Sequence, residues 1–285
     1  MSSRTTTRRT TGKWCFATTT KALVFFSLAL SGCATVSADR TAETAGLHKS
    51  LIRVSPFTLV AYHRFDSPGG PLNVYIEGDG RAWLSRSRLS DDPTPLKPLV
   101  LNLAAMDPSP NVAYLARPCQ YGADDGACDS AYWSHKRFSE EVIAAMNEAL
   151  DQIVLQSGAK EVHLIGYSGG AAVAALIAAR RSDVRTLRTI AGNLDPEAVN
   201  RHHGVSPLVG SLNPADVAVK LETLPQRHFT GKRDEVVPPE ALESFLGRMG
   251  CMRCVSLTRL EGVGHHRGWE ERWPELLAMS VVCSE

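Results

Sequence analysis

Residues 161–172 read EVHLIGYSGGAA. The first half, from Val162 to Tyr167, is a short, unbroken apolar run, the pattern of a strand buried on both faces. It stops at Ser168, which is fenced by Gly166, Gly169 and Gly170, and the chain then continues as GGAAVAALIAARR over residues 169–181, a helical pattern. Gly-x-Ser-x-Gly between a strand and a helix predicts a tight turn that holds the serine at strained backbone angles. The flanking residues must be small, because a Cβ there would meet the packed strand and helix. Such a turn lifts the hydroxyl above the sheet and places the next backbone N–H at a helix N-terminus, where negative charge is favoured.

The rest of the chain alternates in the same way. Apolar runs occur at 72–78, 111–117, 162–168, 187–192, 227–231 and 254–260, most of them continuous rather than alternating. Helical patterns lie between and after them, at 138–158, 169–181, 238–250 and 269–282. The first begins at a serine with Glu141 placed as a capping-box partner, and the third ends at a capping glycine, Gly250. Strands alternating with helices predict a single α/β domain, with a mostly parallel central sheet covered by helices on both faces. At 285 residues and 44% hydrophobic, the chain is long enough to bury such a core.

A serine needs a base, and the base an orienting carboxylate, before it becomes a nucleophile. Both residue types occur downstream at predicted strand ends. Lys-Arg-Asp-Glu-Val-Val-Pro follows the strand at 227–231 and contains Asp234; Gly-Val-Gly-His-His follows the strand at 254–260 and contains His265 and His266. These lie at the carboxyl edge of the predicted sheet, with Ser168. The motifs GYSGG, GKRDEVVP and GVGHH, in this order, make residues 57–280 resemble the α/β-hydrolase superfamily. The resemblance implies a single-domain α/β-hydrolase fold in which Ser168 is the nucleophile, His265 the base and Asp234 the acid. Asp195 is the alternative acid, since some members carry the acid after the preceding strand. His266 is the alternative base, expected at the pocket rim or against Trp269.

The same resemblance implies an oxyanion hole formed by the N–H of Gly169 and one N–H from the loop after an early strand. That loop is Ile76-Glu77-Gly78-Asp79-Gly80, and the Asp79 N–H is taken as the second donor. Many members have His-Gly where this chain has Glu77-Gly78. Two carboxylates near a developing oxyanion are unfavourable unless they turn away or are paired. Arg117, just after a strand, is read as a substrate contact or as half of a structural ion pair. Trp83 and Trp133 read as pocket walls or core, His163 as a satisfied core histidine, and His202-His203 as part of a polar loop. Residues 193–225 are placed to shape access of an acyl chain.

The net charge of +1 conceals an asymmetry. Residues 1–32 carry Arg4, Arg8, Arg9, Lys13 and Lys21 and no acid; without those five the remainder stands at −4. A mildly acidic body with no basic run argues against nucleic-acid binding. The basic start, the apolar stretch ALVFFSLAL at 22–30 and the small residues after it form the parts of a secretory signal peptide. Leu30-Ser31-Gly32-Cys33 resembles the bacterial lipobox. That resemblance implies cleavage before Cys33, lipid attachment to it, and a periplasm-facing outer-membrane anchor if the cell is Gram-negative. Residues 1–32 are then the signal, 33–50 a lipid-anchored tether with no apolar period, and 51–285 the α/β-hydrolase domain. In an oxidising compartment Cys119 and Cys128 are disulfide candidates, while Cys251, Cys254 and Cys283 leave one unpaired.

These readings converge on an exported serine hydrolase of small-molecule or lipid esters, an esterase, lipase or thioesterase, using no metal and no organic cofactor. The alternative is a binding or assembly lipoprotein that keeps the fold without the activity. The sequence carries no feature that sets the oligomeric state.

Overall fold

The computed structural model describes residues 34–123 and 126–284. Residues 1–33, with the signal-peptide and Cys33 readings, lie outside the described residues. In chain order the elements are α1 (34–44), β1 (His48–Val54), β2 (Phe57–Phe65), β3 (Leu72–Ile76), the short β4 (Trp83–Ser85) and β5 (Arg88–Leu89), α2 (Leu99–Ala105), β6 (Asn111–Leu115) and α3 (Glu140–Ser157). They continue with β7 (Val162–Tyr167), α4 (Gly169–Ala178), β8 (Val184–Ile190), α5 (Pro196–His203), β9 (Gln226–Arg233), α6 (Pro239–Leu246), β10 (Val255–Gly264) and α7 (Trp273–Ala278).

Eight strands form one sheet in the order β1-β2-β6-β3-β7-β8-β9-β10. β1 and β2 pair antiparallel, as do β2 and β6; every pair from β6–β3 to β9–β10 is parallel. Successive side chains of β3 go to opposite faces, as the pleat requires. Leu72, Val74 and Ile76 pack with α3, α4 and α6, while Tyr75 packs with α1, α2 and α7. The sheet is thus covered on both sides, and the six strands expected from the sequence all lie within it.

The differences from expectation are local. Residues 34–50 are not a structureless tether: 34–44 are helical, and β1 already begins at His48. Ala34, Ala38 and Ala42 recur every four residues and are buried. Alanine at that spacing makes one narrow apolar face that a count of large hydrophobic residues does not register. Ser139 caps α3 by accepting from the Val142 N–H, so Val142 is the third helical residue. Glu141 therefore falls one place short of a capping box, and its carboxylate accepts from Tyr132 instead. α6 ends at Leu246, and the Gly250 N–H donates to Glu222 rather than closing the helix.

Candidate active site

The elbow forms as its glycines dictate. Ser168 sits at φ 51°, ψ −120°, between the end of β7 and the start of α4. A Cβ on Gly166 would come within 2.4 Å of the Gly170 carbonyl oxygen, and one on Gly170 within 2.3 Å of the Ile76 carbonyl oxygen. Neither approach is tolerable, so strand and helix close around the serine only with glycine at both places. The Ser168 N–H donates to Ile190 at 2.9 Å and its carbonyl accepts from Asn193 at 3.0 Å, pinning the turn to the end of β8.

His265 enters from the far side of the sheet edge. The bend that directs it is a register break between Leu260 and Gly264, with Gly262 at φ +73°. The His265 carbonyl accepts from Trp269 Nε1 at 2.9 Å and lies 3.1 Å from the Tyr167 hydroxyl. With its backbone held in this way, the imidazole spans two partners: Nε2 lies 3.0 Å from Ser168 Oγ, and Nδ1 lies 2.8 Å from Asp234 Oδ2.

Asp234 divides its carboxylate between two tasks. Oδ1 accepts from the Val236 and Val237 N–H groups, both at 2.9 Å, and Oδ2 is left for His265. Burial opposes its charge, but the His265 contact and the two backbone donors outweigh this and hold its pKa below the ordinary value. Asp195 lies elsewhere. It caps α5 by accepting from Glu197 and Ala198, and also accepts from Asn213 and Ser244, which occupies both of its oxygens. His266 is exposed at the rim, with Nδ1 2.7 Å from the Tyr167 hydroxyl; it does not meet Ser168, and its partner is Tyr167 rather than Trp269. Partial burial of its ring against Tyr167 and the neighbouring His265 lower its pKa.

The early loop comes up against the elbow. A Cβ on Gly169 would meet Asp79 Oδ1 at 2.0 Å, so the third motif glycine makes room for that carboxylate. Among the described residues, the Asp79 N–H and the Gly169 N–H have no protein acceptor. The Asp79 side chain is paired twice, with Arg117 at 3.2 Å and Arg137 at 2.9 Å. Arg117 is thus a buried ion-pair partner of the loop. Arg137 is a residue that no sequence signal points to, because its loop has neither motif nor period. Glu77 is 2% exposed, accepts from the Gly78 N–H and the Tyr114 hydroxyl, each at 2.9 Å, and is pushed up to a pKa of about 7 by burial.

Ser168, His265 and Asp79 open onto a cleft of about 560 Å³, whose apolar wall includes Trp83, Leu96, Leu99 and Val236. Trp133 is instead core, its indole N–H donating to the Ser90 carbonyl. His163, half-buried, is satisfied by Thr186 at 2.8 Å. His203 closes α5 and bonds the Val236 carbonyl at 2.8 Å, so the pair His202-His203 belongs to a helix end rather than to a loop. Disulfides join Cys119 to Cys128 and Cys254 to Cys283, leaving Cys251 free among the described residues.

No family model and no curated protein sequence matches the chain. Solved structures do. An esterase from Pyrococcus furiosus is 14% identical with a TM-score of 0.57, covering 81% of this chain and 89% of its own. Est1E from Butyrivibrio proteoclasticus is 17% identical with a TM-score of 0.57, covering 80% and 95%. A bacterial membrane phospholipase A described as a virulence factor is 18% identical with a TM-score of 0.54, covering 90% and 92%. At these identities the likeness is one of fold. The chain has the α/β-hydrolase fold, shared with esterases and serine hydrolases.

Proposed function

We propose that this protein is a serine hydrolase of acyl esters. The observation that carries the reading is the unbroken line of contacts from Asp234 through His265 to Ser168, at 2.8 and 3.0 Å. Asp234 holds the Nδ1–H and thereby presents an unprotonated Nε2 to the serine. Nε2 takes the Ser168 proton as Oγ attacks the acyl carbonyl, and the tetrahedral oxyanion is received by the N–H groups of Gly169 and Asp79. The imidazolium then gives its proton to the departing alkoxide, leaving an acyl-serine. Water, deprotonated by the same nitrogen, releases the acid and restores the serine hydroxyl. The pairing of Asp79 with two arginines keeps its carboxylate from opposing the oxyanion, and Glu77, raised to a pKa of about 7, carries only about half a charge at pH 7.

An ester substrate agrees with the fold neighbours, two named as an esterase and a phospholipase. The reading extends to the envelope: Cys33 carries lipid and holds the enzyme on the membrane surface, its site open to small-molecule or lipid esters. The two disulfides support an exported location. A fluorophosphonate probe tests the chemistry. Labelling of the wild type that disappears in Ser168→Ala is expected; a folded, unlabelled wild type would favour the non-catalytic lipoprotein. Cys33→Ser is expected to abolish membrane partitioning, and partitioning with unchanged processing would remove the anchor.

A further inference from the structure

The Ser168 cleft continues into a second compartment of about 790 Å³, with Trp83, Arg137 and Val236 as the shared wall. The lining of this compartment includes two arginines, Arg86 and Arg137, and two histidines, His135 and His203, but no aspartate or glutamate. We infer that the compartment binds a negatively charged group of the substrate, so that the preferred substrate is an acyl ester bearing an anion such as a phosphate. This rests on the ester-hydrolase reading and names the substrate class of that site.

The protein compensates this charge only in part. Arg117, Asp79 and Arg137 set two guanidinium groups against one carboxylate. Arg137 uses only Nη1 on Asp79; its Nε is buried without an acceptor, and none is found for Nη2 among the described residues. A guanidinium has five N–H donors in a fixed fork that matches an oxyanion, so Arg137 keeps donors for a ligand. Arg86 lies at the turn of the β4–β5 hairpin and, among the described residues, pairs with no carboxylate, unlike Arg180 and Arg248 on the outer surface. Glu77, the other carboxyl group by the cleft, is pushed up to about 7 by burial and so offsets only part of this charge near neutral pH. A cleft wall of one sign favours a ligand of the other, and the effect weakens with salt.

The test compares kcat/KM for monobutyrylglycerol with that for monobutyrylglycerol 3-phosphate, and for phosphatidylcholine vesicles with that for phosphatidylglycerol vesicles. The wild type is expected to favour the anionic member of at least one pair about tenfold at low salt, with the preference shrinking as salt rises. The soluble pair and the vesicle pair distinguish a free phosphorylated ester from a lipid headgroup. Arg86→Glu, on an exposed hairpin where folding is not at stake, should abolish the preference, and Arg86→Lys should retain most of it. Equal rates within both pairs, or an undiminished preference in Arg86→Glu, would overturn the anion site and leave the hydrolase standing. No turnover of any of the four by folded protein would bring down both.

Discussion

Asp195 and Asp234 occupy comparable places: each follows a parallel strand, β8 or β9, at the same edge of the sheet, and each precedes a helix. They also share a direction of pKa shift. Burial opposes the charge of each, and hydrogen bonds outweigh it and hold each below the ordinary value. What separates them is how the four acceptor positions of the carboxylate are used. Asp195 spends both oxygens on structure, accepting from two α5 N–H groups, Asn213 and Ser244. Asp234 spends one oxygen on its own loop and offers the other to His265. An acid can orient a base only if an oxygen is free to do so; strand position alone does not provide one.

Removing the group that Asp234 serves should have the largest effect. His265→Ala is expected to lower kcat on a short-chain ester by roughly 10⁶, since the serine loses its base. His266→Ala, which loses the Tyr167 contact and the edge-on packing of the His265 ring, should change it severalfold. Reversed losses would transfer the base to His266 and leave Asp234 without a catalytic task.

Asp234→Asn comes next, at roughly 10⁴ in kcat, because the amide cannot hold the Nδ1–H and the imidazole presents the wrong tautomer. Circular dichroism would confirm that the variant folds. Near-normal turnover here, beside a crippled Asp195→Asn, would exchange the two roles.

Glu77 sharpens the contrast from the other side, as a carboxyl group with no cation bonded to it. Its pKa of about 7 lies above the ordinary 4.5, so the folded protein keeps a proton that the unfolded chain has released. The stability linked to Glu77 is complete below pH 4.5 and is lost as pH rises to about 7. The integrated loss is on the order of 3 kcal/mol. Glu77→Gln should flatten this part of the profile, measured as the wild-type-minus-variant difference in urea unfolding between pH 4.5 and 8. The two aspartates slope the opposite way: their contributions are present above the ordinary carboxylate range and are lost as pH falls through it.

The smallest effect on turnover belongs to Asp195→Ala. It should cost about 2 kcal/mol, combining a lost helix cap with unsatisfied Asn213 and Ser244, while kcat stays within severalfold of wild type. A stable variant with turnover down a thousandfold would break the comparison.

Much of this molecule was legible in the chain itself. The six core strands, the elbow and the order of Ser168, Asp234 and His265 are written in short windows, because apolar period and glycine placement report contacts between near neighbours. Other features have no local trace. The antiparallel β1–β2 edge has no clear shared period: β2 is buried nearly throughout and β1 is mostly exposed, and the Ser55-Pro56 turn between them does not by itself mark a hairpin. α1 hides its apolar face in alanines.

Sequence by itself determined that this chain forms a parallel α/β sheet with a serine raised at its carboxyl edge, since each strand, turn and helix is specified by residues a few places apart. It also determined which residue types could meet that serine. Only the tertiary structure decided which of two aspartates faces the histidine, that Cys254 pairs with Cys283, and that Arg137, far from any motif, closes on Asp79 beside the elbow. Each of those contacts joins segments separated by tens of residues. Their geometry depends on how the loops pack over the sheet edge, and no window along the chain contains that information.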